Sequence, residues 1–115
     1  NYSVTDAGSR AFHDWIRSPL TGGDLEVAAL SRLFLLGLVE DAGERRDILD
    51  HIIEEVEREL AQLEAFAERL DAQATSVPEG YRAVFRYQRA TLDYGLMAHR
   101  AGLAWFRELA ASEGA

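Results

Sequence analysis

From about Glu44 to Gln73 the chain runs without a single Pro or Gly and is built mostly of strong helix formers, the longest uninterrupted helical signal in its 115 residues. Within that run Leu49, Ile53, Val56, Leu60, Leu63, Ala67 and Leu70 follow one another at spacings of 4, 3, 4, 3, 4 and 3. This is the seam of a helix that packs against another helix at a shallow angle. Around it Glu54, Glu55, Glu57, Arg58, Glu59, Glu64, Glu68 and Arg69 form a solvated outer face. A helix of about 30 residues is ~45 Å long. A compact globule of this chain length is only ~34 Å across.

The remaining punctuation predicts three more helices. Thr5 is an N-cap with Asp6 in the first turn, Phe12, Trp15 and Ile16 form an apolar stripe, and Ser18-Pro19 ends that segment. Leu20-Thr21-Gly22-Gly23 reads as a loop, and Asp24 caps a helix from Leu25 to Val39 that is apolar on nearly all sides. Asp41-Ala42-Gly43 reads as a break with Gly43 as the stop, and Thr75-Ser76-Val77-Pro78 as the end of the long run. A last helix is expected from about Glu79 to Ala111, with Val84, Phe85, Leu92, Leu96, Leu103, Phe106 and Leu109 among its apolar positions. The fold class is therefore all-α: about four helices, two of them long, in an elongated bundle that forms a coiled-coil-like dimer. Two protruding rods would otherwise expose a larger apolar strip than soluble monomers tolerate. The expected dimer interface comprises Leu49, Ile53, Val56, Leu60 and Leu63, with Leu96, Leu103 and Trp105 from the last helix. Gly95 and Gly102, seven apart, are expected where that helix closely approaches another, since Gly inside a helix costs about 1 kcal/mol relative to Ala.

Charge narrows the function. Twelve cations, all Arg, against 20 acids leave −8 at pH 7, and residues 41–80 alone carry four Arg against twelve acids. A chain that binds DNA unaided presents a basic face, so this one does not bind DNA by itself. No apolar run approaches the roughly 20 residues of a membrane span and no secretory leader is visible, which makes the cytoplasm the expected compartment, with no membrane partner. There is no Cys and hence no disulfide framework or thiolate site. Asn1 is not an initiator and the only methionine is Met97, so the chain is expected to be a piece of a longer protein.

Catalysis and metal binding find little support. With no Cys, no Lys, no Gly-rich phosphate loop and no serine in a nucleophile elbow, no catalytic residue and no cofactor are expected. His51 has Asp47 one turn before it and Glu55 one turn after, but no Glu-x-x-His or His-x-x-x-His pair exists, and a solvated helix face explains the spacing better than a metal site. The aromatics carry more. Trp15 is expected to pack in a core, while Trp105, with Phe106 beside it and Tyr94 earlier in the helix, fits either an interface or a pocket for a planar ligand.

Two blocks of sequence resemble the PadR-like transcriptional regulators, winged-helix proteins with a helical C-terminal domain. The first is Tyr2-Ser3-Val4-Thr5-Asp6-Ala7-Gly8 continuing to Trp15-Ile16, similar to that family's Tyr-x-Leu-Thr-x-x-Gly block. The second runs from Gly95 through Ala101 and Leu103 to Trp105-Phe106, similar to its closing Ala-x-Leu-x-Trp-Leu helix, with Gly102 where Glu is frequent. The resemblance implies that residues 1–4 are the remnant of a wing strand and residues 5–115 a helical dimerisation domain, acting as a homodimer whose operator DNA is held by an absent N-terminal winged helix. It also implies a small planar aromatic effector, with Trp105, Phe106 and Tyr94 as its ligand-binding residues. The alternatives are a small aromatic-ligand sensor and a stand-alone helical interaction bundle.

Overall fold

In the computed structural model residues 5–20 and 24–113 are described. The expected strand end at Tyr2-Ser3-Val4, the residues 1–4 taken as a wing remnant and the loop positions Thr21, Gly22 and Gly23 lie outside them. The described residues form four α-helices and no strand: α1 (Asp6–Ile16), α2 (Leu25–Phe34), α3 (Ala42–Gln73) and α4 (Arg82–Glu113). Short 3-10 turns occupy Leu36–Leu38, Ala74–Ser76 and Glu79–Tyr81. The all-α class with two long helices is thus observed, each of the two spanning 32 residues, or about 48 Å at the helical rise.

Local chemistry sets the helix ends. The Thr5 hydroxyl accepts from the Gly8 N–H at 3.0 Å, and the Asp24 carboxylate accepts from the Glu26 N–H at 2.9 Å, each satisfying a backbone donor that a helix start leaves unpaired. Helix α2 stops at Phe34, five residues short of the expected end. The chain tightens there into the Leu36–Leu38 turn, which buries both Leu36 and Val39. The Val39 and Glu40 carbonyls then accept from Arg45 Nη1 at 2.7 and 2.9 Å.

At the start of α3 the expected stop is displaced. Asp41 is the N-cap, its carboxylate accepting from the Glu44 N–H at 2.9 Å. Gly43 lies inside the first turn, where a Cβ would stand 3.2 Å from that capping carboxylate oxygen. Gly43 therefore leaves room for the cap, and the break between helices belongs to Val39–Glu40.

The chain divides into two packed units, Asn1–Ile52 with Ala110–Ala115, and Ile53–Leu109. In the first, Ile16, Ala29, Val39, Leu49 and Ile52 are buried around α1, α2 and the start of α3. Arg45 fastens its edge, donating to Glu113 at 2.6 Å as well as to the Val39 and Glu40 carbonyls. Arg17 adds a more exposed pair with Glu44 at 3.1 Å.

In the second unit α3 and α4 run antiparallel. Asp71 pairs with Arg89, Glu64 with Arg100 and Glu57 with Arg107, so that descending positions on one helix meet ascending positions on the other. Between them Ile53, Val56, Leu60 and Ala67 from α3 and Leu96, Leu103 and Phe106 from α4 are buried. Gly95 and Gly102 are not at a close helix approach. A Cβ built on either meets nothing within 4 Å.

Candidate interaction surface

Helix α4 presents two faces of different kinds. Its inner face buries Leu96, Leu103 and Phe106 and half-buries Phe85, Leu92 and Leu109. Its opposite face exposes Tyr87, Ala90, Tyr94, Met97, Ala101 and Trp105, residues that recur at 3-4 spacing and so share one side of a helix. Tyr94 is 67% exposed and Trp105 49%. From Ala83 to Trp105, a distance of about 33 Å along the helix, no acidic or basic side chain falls at the centre of this face; Arg86, Asp93 and Arg100 lie to its side.

Helix α3 is different. Over the same unit it exposes Glu54, Glu57, Arg58, Glu64, Glu68 and Asp71, with Phe66 as its exposed large apolar residue. Phe66 has Arg69 over its ring at 5.6 Å.

These placements redistribute the expected interface. Leu49, Ile53, Val56, Leu60, Leu96 and Leu103 are buried by their own chain and Leu63 is half-buried, so the seam of α3 is occupied from within. Of the eight residues assigned to the interface, Trp105 remains exposed. The expected ligand-binding trio does not converge: Phe106 is buried on the inner face, Trp105 is exposed on the outer one, and Tyr94 lies eleven residues earlier, about 16 Å along the helix. Trp105 and Phe106 do touch edge to face, with ring centroids 5.3 Å apart.

Arg32 is the feature the sequence pattern passed over. It is the buried charged residue of the first unit, 5% exposed, on a helix otherwise read as apolar all round. Its guanidinium lies 4.9 Å from the centroid of the Trp15 ring and donates to the Ala28 carbonyl and the Ser18 hydroxyl, both at 3.0 Å. Burial pushes its pKa below the ordinary arginine value. Trp15, expected in a core, is instead 37% exposed, with the Arg32 guanidinium over one face of its indole. An arginine amid apolar positions, with a tryptophan on the preceding helix, was the available signal.

The histidines are placed separately. His13 Nδ1 lies 2.9 Å from the Ser9 carbonyl. His99 Nδ1 lies 2.8 Å from the Gly95 carbonyl and its Nε2 3.1 Å from Glu59. His51 is half-buried rather than solvated, and its buried Nε2 has no hydrogen-bond partner among the described residues. Among the described residues no group of three or more His, Cys, Asp or Glu is placed to hold a metal ion, and no helix is long and apolar enough to cross a membrane.

No curated protein and no solved structure matches the chain. The family described as virulence activator alpha, C-terminal, matches residues 28–112, most of the sequence. That match overturns the PadR-like assignment and, with it, the function as the dimerisation domain of a PadR-like winged-helix regulator. The Thr5-x-x-Gly8 block lies outside the matched residues and is accounted for by the cap of α1. The Gly95–Phe106 block lies inside them, where its Leu103 and Phe106 are what any helix needs to pack on a neighbour. With so much of its length covered, the chain belongs to the virulence activator alpha C-terminal family.

Proposed function

We propose that this chain is the assembly domain of an activator protein of the cytoplasm, and that it works by binding a second copy of itself through the outer face of α4. The observation that carries this reading is the uncharged, aromatic-bearing outer face from Ala83 to Trp105. A helix exposed to water on one side ordinarily spaces charged residues along that side, as α3 does. Exposed Tyr, Trp and Met with small residues between them are what protein interfaces select, and aromatic side chains there dominate the binding energy. Contact with DNA we assign to another part of the activator, since the −8 net charge of this chain repels phosphate.

Sedimentation of the wild-type chain and of a Tyr94→Glu, Trp105→Glu double variant tests the proposal. The wild type is expected to dimerise. Each charge placed in the interface is expected to weaken dimerisation by roughly 30-fold or more, while far-UV circular dichroism stays unchanged, because both positions are exposed in the single chain. A wild-type chain that remains monomeric at about 100 μM overturns it.

A further inference from the structure

Gly95, His99 and Gly102 succeed one another at spacings of 4 and 3 on one half-buried flank of α4. Glycine inside a helix weakens it relative to alanine. Close packing offsets that loss at neither position, since a Cβ on either glycine would meet nothing within 4 Å. They are the two glycines of a 32-residue helix, and the stretch they bracket is where α4 yields most readily.

His99 stands in the middle of that stretch with an acceptor at each ring nitrogen. Its Nδ1 lies 2.8 Å from the Gly95 carbonyl oxygen of its own helix. Its Nε2 lies 3.1 Å from Glu59 Oε2 on α3. That carboxylate oxygen is buried and receives no other hydrogen bond among the described residues. A neutral imidazole carries one N–H and one bare lone pair, so either tautomer turns a lone pair toward an oxygen, whereas the imidazolium donates to both. A buried acceptor left without a donor is costly, and the arrangement therefore calls for the charged ring.

The neighbouring charges are engaged elsewhere. On α3, Glu55, one turn before Glu59, is taken by Arg58 at 2.6 Å. On α4, Arg100 pairs with Glu64 at 3.2 Å and Asp93 with Arg89 at 2.5 Å. One turn to either side of His99 on its own helix stand Gly95, Leu96, Gly102 and Leu103, none of which carries a charge.

We propose that His99 is a proton-dependent clasp on a hinge: as the imidazolium it ties residues 95–102 of α4 to Glu59 of α3, and when it gives its proton to water that stretch opens locally. The neutral ring keeps one of its two contacts, and the bracketing glycines let the helix between them loosen without unfolding the rest. Stability from the clasp is fully present below about pH 6.5, the ordinary histidine value of an unfolded chain. It is lost as the pH rises through the value at which the folded ring releases its proton. A histidine so placed makes the firmness of α4 respond to pH near neutrality. The clasp lies within one chain and does not depend on self-association.

Imidazole nitrogen chemical shifts of the wild-type chain read the ring directly. At about pH 7, above the ordinary histidine value, both nitrogens of His99 are expected to be protonated. In Glu59→Gln the ring is expected to be mostly neutral at that pH, with the signals of His13 unchanged. Hydrogen exchange corrected for the intrinsic rate reads the hinge. Between about pH 6 and about pH 8.5 the amides of residues 96–103 are expected to lose protection by roughly threefold to tenfold more than the rest of α4, the worth of one hydrogen bond. A Gly95→Ala, Gly102→Ala double variant is expected to keep the ring titration and lose that excess. A neutral His99 ring in the wild type at about pH 7, or protection that falls evenly along α4, overturns the clasp. An excess that persists in the double glycine variant overturns the hinge.

Discussion

Between Ile53 and Leu109 the two long helices share a core and differ in what they turn away from it. Helix α3 turns Glu54, Glu57, Glu64 and Glu68 outward, and α4 turns Tyr87, Tyr94, Met97 and Trp105 outward. Their inner faces are alike, with Ile53, Val56 and Leu60 buried on one and Leu96, Leu103 and Phe106 on the other. A helix with one apolar stripe has one neighbour to satisfy. A helix with two opposite stripes has a second apolar face that water does not satisfy, and the difference between α3 and α4 lies there.

The strongest way to break this contrast is to treat adjacent residues on opposite faces of α4. Phe106→Ala removes a ring from the core and is expected to lower unfolding free energy by about 3–5 kcal/mol. Trp105→Ala, on the exposed side, is expected to lower it by less than about 1 kcal/mol when measured on the monomer. Urea unfolding of both at low protein concentration checks the pair, and equal losses would mean that α4 has no inner and outer side.

A smaller effect separates the outer faces of the two helices. Neutralising α3 with Glu54→Gln and Glu68→Gln is expected to change the dimerisation constant by less than about threefold, since exposed single charges contribute little. The Glu substitutions at Tyr94 and Trp105 act on the other outer face. A collapse of dimerisation from the α3 changes would place the interface on the acidic side.

The glycines of α4 sharpen the comparison further. Gly95→Ala and Gly102→Ala are each expected to stabilise the monomer by about 1 kcal/mol, the helix propensity gained where added methyl groups meet nothing within 4 Å. Thermal melts of the two variants test this, and destabilisation of the monomer would show that α4 needs glycine at those positions.

Much of the architecture was legible in the chain. The caps at Thr5 and Asp24 follow from side-chain chemistry within three residues, and the 4-3 spacing from Leu49 to Leu60 marked the buried face of α3. Its partner was not legible, because periodicity identifies a packing face and not what covers it. In the second unit the covering helix is α4 of the same chain, which withdraws Ile53, Val56 and Leu60 from any contact with a second copy. Tyr87, Ala98 and Ala101 are exposed on the outer face of α4 and stand outside the apolar positions read from the sequence, since small and aromatic residues score weakly as a stripe beside Leu and Phe. Gly43 misled for a related reason: a glycine beside Asp41 suits the end of one helix and the capped start of the next equally well.

The finest effect tests the flank where the acidic helix meets the arginine-bearing one. Arg89 donates through Nε to Asp71 at 2.8 Å and also pairs with Asp93 on its own helix. The hydrogen bond from Arg89 holds the Asp71 carboxyl below its ordinary value, aided by the charge of the guanidinium, and the same bond raises Arg89. A carboxylate whose folded pKa is depressed stabilises the fold above its unfolded pKa of about 3.9 and loses that contribution as pH falls through the folded value. Asp71→Asn is therefore expected to lower Tm slightly at pH 7, by an amount kept small by solvent screening of so exposed a pair. The gap between variant and wild type should hold down to about pH 5 and close below about pH 4, where the wild-type carboxyl takes up its proton. A gap that stays constant through that range would mean that Asp71 contributes shape and not charge, and that the flank between α3 and α4 is held by packing alone.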